Sequence, residues 1–321
     1  MIGLLEDYTA LIIQAILAIW IGSRRSLTSQ VVERLSSKDA WQFPFIGSGV
    51  LVGIFIVVKY VRKDLLDALV AIYFASIGAV CLAQVIRPII KKFIPTVQRF
   101  SLFGDRLSFD FVDVVSFTIG ISVGVVWAIT KNWVASNILG FGFAVEAITI
   151  INIGSFNVGA ILLCGLFVYD VFWVFGTDVM VSVVKGFNAP IKLMYPRSGI
   201  VTPLLMGNEI GIERSVLGLG DIAIPGFFIS LLLRFDEKYY PGFKQPTFFL
   251  CGIASYLAGL INTMAVMHFM KAAQPALLYL VPWLLLTSLV VGVFTGKLKE
   301  LLEFVSEKEK TTTTDEKQKL N

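Results

Sequence analysis

Long apolar stretches recur along the chain and are separated by short polar or charged stretches. A helix needs roughly 20 apolar residues to cross a bilayer. We expect each stretch to be a helix, because an isolated strand in lipid leaves backbone groups without hydrogen-bond partners. The pattern predicts about nine such segments: Tyr8–Gly22, Phe43–Val58, Leu65–Ile86, Phe111–Ile129, Trp133–Ile151, Val158–Met180, Val216–Leu233, Phe248–Phe269 and Ala276–Phe294.

The composition agrees with a chain that lies mostly in lipid. Hydrophobic residues make up 56% of it and charged residues 16%, whereas a soluble domain carries about 25% charged residues. The predicted fold class is therefore an all-α polytopic membrane protein. Small residues four positions apart predict close contacts between helices; these pairs are Gly49/Gly53, Gly120/Gly124 and Ser255/Gly259.

Several classes of function are excluded by the residues present. The basic residues lie beside apolar segments, which is the pattern that sets membrane orientation and not that of a nucleic-acid surface. The three cysteines fall inside apolar segments and form no CxxC pair. A single histidine, His268, without an HExxH motif does not build a zinc site. We expect no metal, no cofactor and no nucleic-acid partner, and membrane lipids as the surroundings.

The distribution of lysine and arginine predicts the orientation in the membrane. With the N-terminus in the lumen, most of the 27 basic residues fall on the cytosolic side, which is the side that basic loops favour. Lys59, Arg62 and Lys63 fall on the other side. We therefore expect a lumenal N-terminus, a cytosolic C-terminus and a lumenal loop between Lys185 and Arg214.

Charged groups inside a membrane span are costly, so each one needs a reason. Four acids qualify: Glu146, Asp170, Asp178 and Asp221. Asp178 lies at the end of its segment near Lys185, and we interpret it as a residue of the membrane interface. Glu146 is interpreted as a structural hydrogen-bonding group that faces a neighbouring helix. Asp170 and Asp221 call for a different explanation.

Asp170 lies near the middle of the sixth segment and Asp221 early in the seventh, which runs antiparallel to it. Counted from Asp178 and Arg214 as boundary residues, both lie roughly 10–12 Å deep at the helical rise per residue. Two carboxyls that meet in a poorly solvated site share a proton and titrate as a unit. The ionised carboxyl then takes a proton from water, and the protonated carboxyl stabilises charge on the oxygen of an amide. Depth and charge alone leave open two independent polar contacts or the proton relay of a carrier.

The residues around Asp221 favour a protease. Gly218 and Gly220 precede it and allow another backbone to approach closely. Pro225 cannot donate to the carbonyl of Asp221 four residues earlier, so that carbonyl is freed. Pro275 has the same effect at the start of the ninth segment. Open backbone deep in a membrane is tolerated only inside protein or in a wet cavity, and a protease needs it because its substrate must pair as an extended strand.

Three short motifs occur in order on the sixth, seventh and ninth segments: Tyr169-Asp170, Gly218-Leu219-Gly220-Asp221 and Pro275-Ala276-Leu277. Together they resemble the YD, GxGD and PAL motifs of the presenilin and signal peptide peptidase family of intramembrane aspartyl proteases. The longer stretches 169–177 and 274–282 resemble signal peptide peptidases more than presenilins. The resemblance covers nearly the whole chain.

The resemblance implies a presenilin-like fold with Asp170 and Asp221 as the catalytic pair. It implies that other motif residues support the active site, namely Tyr169, Gly218, Leu219 and Gly220, and that Pro275, Ala276 and Leu277 bind substrate. It further implies a protein of the endoplasmic reticulum that cleaves signal peptides and type II transmembrane segments without accessory subunits. Whether the protein forms a homo-oligomer is left open. The alternative is a proton-coupled carrier or a non-proteolytic binder of membrane segments.

These assignments divide the chain into three parts. Residues 1–157 form a scaffold of five helices, residues 158–296 hold the catalytic helices, and residues 297–321 form a disordered cytosolic tail. The last five residues, Lys317 to Asn321, fit a KxKxx retrieval signal. A lysine-rich solvated tail is the other interpretation of those residues.

Overall fold

The computed structural model describes residues 2–29, 33–93, 99–102, 107–177, 179–180, 183, 189–196, 214–240, 246–270 and 274–305. Its helices are α1 (Ile2–Thr28), α2 (Ser37–Tyr60), α3 (Lys63–Phe93), α4 (Phe111–Thr130), α5 (Trp133–Ile150), α6 (Phe156–Phe175), α7 (Gly220–Tyr239), α8 (Thr247–Met270), α9 (Leu277–Phe294) and α10 (Leu298–Leu302). Its strands are β1 (Glu33–Leu35), β2 (Arg99–Leu102), β3 (Leu107–Asp110), β4 (Ile151–Ile153), β5 (Lys192–Pro196) and β6 (Arg214–Gly218).

The predicted all-α polytopic membrane class is confirmed. Among the described residues, eight helices are long and apolar enough to cross a membrane, namely α1 to α6, α8 and α9. Helix α7 has 20 residues but is not one of the eight. Its second residue is Asp221, and Arg234 is followed by further charged residues near its end. Length and composition therefore do not establish the predicted count of nine.

The predicted start of the seventh helix at Val216 is wrong. Residues 214–218 form β6, which pairs antiparallel with β5 so that Gly218 lies opposite Lys192. Backbone groups there find their partners across a two-stranded ladder, and the helix begins only at Gly220. The depth count for Asp221 assumed a helical rise from Arg214 and does not hold. Asp178, which served as the mark for Asp170, lies outside the described residues.

The chain divides into two compact units. The first comprises Met1–Ala18, Tyr60–Glu146 and Phe187–Gly220. Within it α4 packs closely on α3. A Cβ atom at Gly120 would collide with the carbonyl oxygen of Ala79, and one at Gly124 with that of Ala75. This confirms the close contact predicted for the Gly120/Gly124 pair.

The second unit comprises Ile19–Lys59, Ala147–Gly186 and Asp221–Asn321. The Gly259 half of the Ser255/Gly259 prediction is confirmed, since a Cβ there would lie 3.1 Å from the Cα of Leu280 in α9. The prediction for Gly49 and Gly53 is wrong, because no atom of the described chain lies within 4 Å of a Cβ built at either. Helix α2 instead contacts α6 through Pro44, whose ring lies against Gly165.

The C-terminal part of the described chain packs against earlier elements of the second unit. After α10, Val305 forms an antiparallel bridge with Ser155, which caps α6. Phe304 packs edge-on against Phe235 of α7, with 5.4 Å between ring centroids. Residues 306–321, including the KxKxx sequence, lie outside the described residues. The division into three parts stays a prediction.

Asp236 is a buried carboxylate that the sequence analysis did not single out. It lies in the last turn of α7 and is 2% exposed. Its Oδ1 accepts from the backbone N–H of Phe248 at 3.2 Å, and its Oδ2 accepts from that of Phe249 at 2.8 Å. The first N–H groups of a helix have no partner within the helix. Asp236 therefore caps α8 from a neighbouring helix.

Replacing Asp236 by Ala is expected to destabilise the protein by about 2–4 kcal/mol, because two buried N–H groups lose a charged acceptor. Thermal unfolding in detergent measures this loss. Glu237→Ala is the matched control, since Glu237 is the exposed neighbour on the same helix. Equal melting temperatures for the two variants would show that the cap contributes nothing.

Candidate active site

The side chain of Asp170 on α6 contacts the start of α9. Its side chain is 5% exposed, and its Oδ2 accepts a hydrogen bond from the backbone N–H of Leu277 at 3.0 Å. Leu277 is the first residue of α9, where N–H groups lack partners within the helix and a carboxylate is favourable. The structure thus brings the YD and PAL motifs into direct contact, although 107 residues separate these two positions.

The PAL residues form a tight turn that directs this N–H group. The Pro275 carbonyl accepts from the N–H of Leu278 at 3.2 Å. The Ala276 carbonyl accepts from Tyr279 and Leu280, each at 3.1 Å. The three PAL side chains are buried. Because the turn is closed by its own hydrogen bonds, the N–H of Leu277 keeps a fixed direction towards Asp170.

The backbone of Asp221 has an unusual partner. Pro225 lies inside α7, so it cannot donate the helical hydrogen bond to the Asp221 carbonyl. That carbonyl instead accepts from the hydroxyl of Tyr256 on α8 at 3.2 Å. Tyr256 is fully buried. The freed carbonyl predicted from Pro225 is therefore present, and a buried phenol satisfies it.

The helices that hold the two aspartates are linked through α8 and α9. Tyr256 and Gly259 lie three positions apart on α8 and share one face. Gly259 on that face lies against Leu280 of α9. Asp170 is thus tied to the first turn of α9, and the backbone of Asp221 is tied to the helix that packs on α9. The direct approach of the two carboxyl groups stays a prediction.

Tyr169 contacts α2. Its ring carbon Cε2 would lie 3.5 Å from a Cβ at Gly47, and its ring centroid lies 6.3 Å from that of Trp173. The indole N–H of Trp173 donates to Ser48 Oγ at 3.0 Å. Three α6 positions, at Gly165, Tyr169 and Trp173, therefore form the face on which α2 packs. The supporting role predicted for Tyr169 stays a prediction.

The glycines before Asp221 are less open than the sequence suggested. Gly218 is already paired with Lys192 across the β5–β6 ladder. The N–H of Leu219 donates to the Ile191 carbonyl at 3.0 Å. Gly220 is the exposed first residue of α7. In the part of the chain that the structure describes, β5 and β6 form a two-stranded sheet, so β6 has one edge occupied by β5.

Glu146 lies within α5, close to Cys81 of α3. It therefore faces a neighbouring helix, and its predicted structural hydrogen bond stays a prediction. Neither Tyr256 nor Asp236 stands out in the sequence. The only sequence signal for Tyr256 was indirect, since Pro225 indicates a carbonyl in need of a donor. Asp236 follows Arg234 at the end of an apolar stretch, so it resembles an ordinary loop residue.

Comparison with known proteins adds independent findings. The family described as signal peptide peptidase matches residues 27–308. The signal peptide peptidase of Homo sapiens is 36% identical over 326 residues, which cover 94% of this chain and 84% of that protein. A probable intramembrane protease of Schizosaccharomyces pombe is 32% identical, covering 94% of this chain and 96% of the relative. Intramembrane protease 2 of Caenorhabditis elegans is 42% identical over 62% of this chain and 44% of its own length.

Proposed function

This chain belongs to the signal peptide peptidase family of intramembrane aspartic proteases, and from that premise we propose that Asp170 and Asp221 are its catalytic pair. Its reaction is the hydrolysis of peptide bonds within the bilayer. One observation carries the assignment: the Asp170 carboxylate accepts from the first N–H of the PAL helix at 3.0 Å. Two motifs far apart in sequence are thereby held at one point.

The proposed chemistry uses both carboxyls and one water. The ionised carboxyl takes a proton from the water, whose oxygen attacks the carbonyl carbon of the scissile peptide bond. The protonated carboxyl donates a hydrogen bond to the carbonyl oxygen and stabilises the negative charge that develops there. A proton then passes to the peptide nitrogen and the C–N bond breaks. The products are a carboxyl terminus and an amine.

We propose that the substrate binds as an extended strand beside the motif residues. The substrates are membrane-embedded peptides, and we assign them as signal peptides and type II transmembrane segments. Gly218, the last residue of β6, precedes Asp221 by three residues in the chain, and we assign the edge of β6 to substrate pairing. A strand added to that edge gains main-chain hydrogen bonds. Pro275, Ala276 and Leu277 lie at the start of α9 beside Asp170, and we assign them to substrate binding.

Substrate helices must open before they are cleaved, which gives a test of this function. Each Gly lowers helix stability by about 1 kcal/mol relative to a strong helix former. Replacing two Gly residues in the apolar core of a substrate by Leu is therefore expected to slow cleavage by roughly tenfold or more. The assay uses the purified chain in lipid vesicles and mass spectrometry of the products. Equal rates for the two substrates would contradict the unwinding step, and no cleavage of either would contradict the function.

The chain is a multi-pass membrane protein, and we infer that it resides in the endoplasmic reticulum with its N-terminus facing the lumen. The excess of basic residues assigned to the opposite side supports this orientation. A glycosylation sequon inserted between Lys185 and Arg214 should be modified, whereas one inserted after Lys310 should not. Electrophoretic mobility before and after glycosidase treatment measures both. The reverse pattern would invert the orientation.

The carrier and the non-proteolytic binder are not favoured, since the relatives that match along the chain are proteases. Lipids and membrane-embedded peptides are the partners that the family implies. A homo-oligomer remains a proposal. Its test is the mass of the purified protein in detergent.

A further inference from the structure

The last turns of α7 contain an arginine, Arg234, whose guanidinium is largely buried and incompletely paired. Arg234 donates from Nη2 to the hydroxyl of Ser230 at 2.9 Å. Its Nε and Nη1 atoms have essentially no exposed surface and no hydrogen-bond partner in the part of the chain that the structure describes. A guanidinium group is always charged and has five N–H donors. Leaving such donors buried without an acceptor is costly.

The two groups described beside Arg234, Ser230 and Arg34, carry no negative charge. Ser230 is shared, because its hydroxyl also hydrogen-bonds that of Ser26 on α1 at 2.7 Å. Among the described residues, a charged neighbour of Arg234 is Arg34 of β1, which is also positive. Two like charges in a poorly solvated place repel each other. An anion between them would remove both the repulsion and the unmet donors.

Two further buried polar atoms without a partner in the described part of the chain lie on the neighbouring elements β4 and α1. Arg34 lies opposite Asn152 in the parallel β1–β4 ladder, and the Oδ1 of Asn152 is buried without a hydrogen-bond partner among the described residues. Ser23 lies one turn before Ser26 on α1, and its buried hydroxyl is also without a partner there. Arg34 itself is half-exposed. The Arg234 cluster, defined as Arg34, Arg234, Ser23 and Ser26, is thus open on the Arg34 side.

We propose that the Arg234 cluster binds the phosphate group of an anionic phospholipid. Phosphate oxygens match the planar fork of a guanidinium, which can donate two parallel hydrogen bonds. The buried hydroxyl of Ser23 adds a further donor, whereas the Ser26 hydroxyl already donates to the Ser23 carbonyl at 2.8 Å. Basic pockets between transmembrane helices are a known way to bind lipid head groups. The occupant therefore has phosphate chemistry, and its position favours a lipid over a free ion.

The sequence of α7 indicates the level of the Arg234 cluster in the membrane. The helix is apolar from Ile222 to Leu233 and becomes charged from Arg234 onward. That change marks the level at which a spanning helix meets the head groups. Asp221 lies about 20 Å away along the same helix. A lipid phosphate bound at Arg234 would therefore fix the depth of the proposed catalytic residue below the head groups. The binding itself does not depend on the proposed function.

Lipid binding to the purified, delipidated protein tests this site. Native mass spectrometry would measure binding of phosphatidic acid, of diacylglycerol without a phosphate, and of inorganic phosphate. The variants are Arg234→Gln and Arg34→Gln. The second keeps the buried arginine and so remains informative if the first does not fold. Arg24→Gln is the matched control, because Arg24 is an exposed arginine on α1 that stacks on Trp20.

We expect the wild type and Arg24→Gln to bind phosphatidic acid alike and to bind diacylglycerol much more weakly. Each cluster variant should lose about tenfold or more in affinity for phosphatidic acid, as is usual when a charge-assisted hydrogen bond is removed. Equal binding of diacylglycerol would overturn the proposal. If inorganic phosphate saturates the site and no phosphatidic acid is retained by the protein, a lipid is not the occupant. Unchanged binding in both folded cluster variants would overturn the site.

Discussion

Replacing either Asp170 or Asp221 by Asn is expected to abolish cleavage of a membrane-embedded peptide, with a loss of roughly 100-fold to 10,000-fold or more. Asn has nearly the same shape as Asp but carries no proton that a carboxyl pair can share. The remaining carboxyl can then serve as base or as acid, but not as both in one turnover. Cleavage by the purified variant in lipid vesicles is the measurement.

Both variants should stay folded and inserted. The side-chain oxygen of Asn can still accept from Leu277 N–H at position 170, where the wild type has a bond of 3.0 Å. At position 221 the recorded contact of Tyr256 is with the main-chain carbonyl, which the substitution leaves in place. Glu146→Gln is the matched control, because it removes another intramembrane acid outside the proposed pair. Substantial activity in either Asn variant would remove that residue from catalysis.

Reversing the orientation of a substrate in the membrane is expected to reduce its cleavage by about tenfold to a hundredfold, because several directed main-chain hydrogen bonds would be lost. The loops fix the orientation of the enzyme, and strand pairing beside Gly218 has a direction. A substrate that enters backwards presents its N–H and C=O groups in the wrong register. We expect the productive orientation to have the substrate N-terminus in the cytosol.

Co-reconstitution of the enzyme with one apolar segment in two orientations measures this effect. The flanking charges set the substrate orientation, and protease protection of a tag confirms it before the assay. Equal initial rates for the two orientations would show that strand pairing does not select direction. A preference for the opposite orientation would invert the proposed placement of the enzyme.

The contact of Asp170 with the PAL turn shows how much of the candidate site the sequence could predict. Residue spacing predicted apolar helices and placed an acid within one of them, while motif order indicated that the PAL turn belongs to the same site. The bond from Leu277 N–H to Asp170 agrees with that expectation. Periodicity alone would not have found it, since nothing in a single helix specifies which helix end it meets. The resemblance supplied that link.

Other features depend on contacts that a local pattern does not encode. Val216 and Leu217 are as apolar as a helix start, but pairing with β5 makes them a strand. Asp236 has the sequence context of a loop charge, yet it caps α8 because that helix begins beside it. Pro225 predicted a freed carbonyl, but only the packing of α8 reveals Tyr256 as its donor. Each case is a local preference overridden by a distant partner.

The central claim is that the carboxyl groups of Asp170 and Asp221 meet, and a crosslink tests it most directly. The measurement uses Asp170→Cys with Asp221→Cys in a chain whose Cys81, Cys164 and Cys251 are replaced by Ala, treated in membranes with the shortest bifunctional thiol reagent. Asp170→Cys with Glu237→Cys is the control, because Glu237 is exposed and lies about 24 Å along α7 from Asp221. We expect an intramolecular crosslink in the first protein, seen as a linked peptide pair by mass spectrometry, and none in the second. A crosslink in neither protein, with both thiols reactive, would contradict the shared-proton pair.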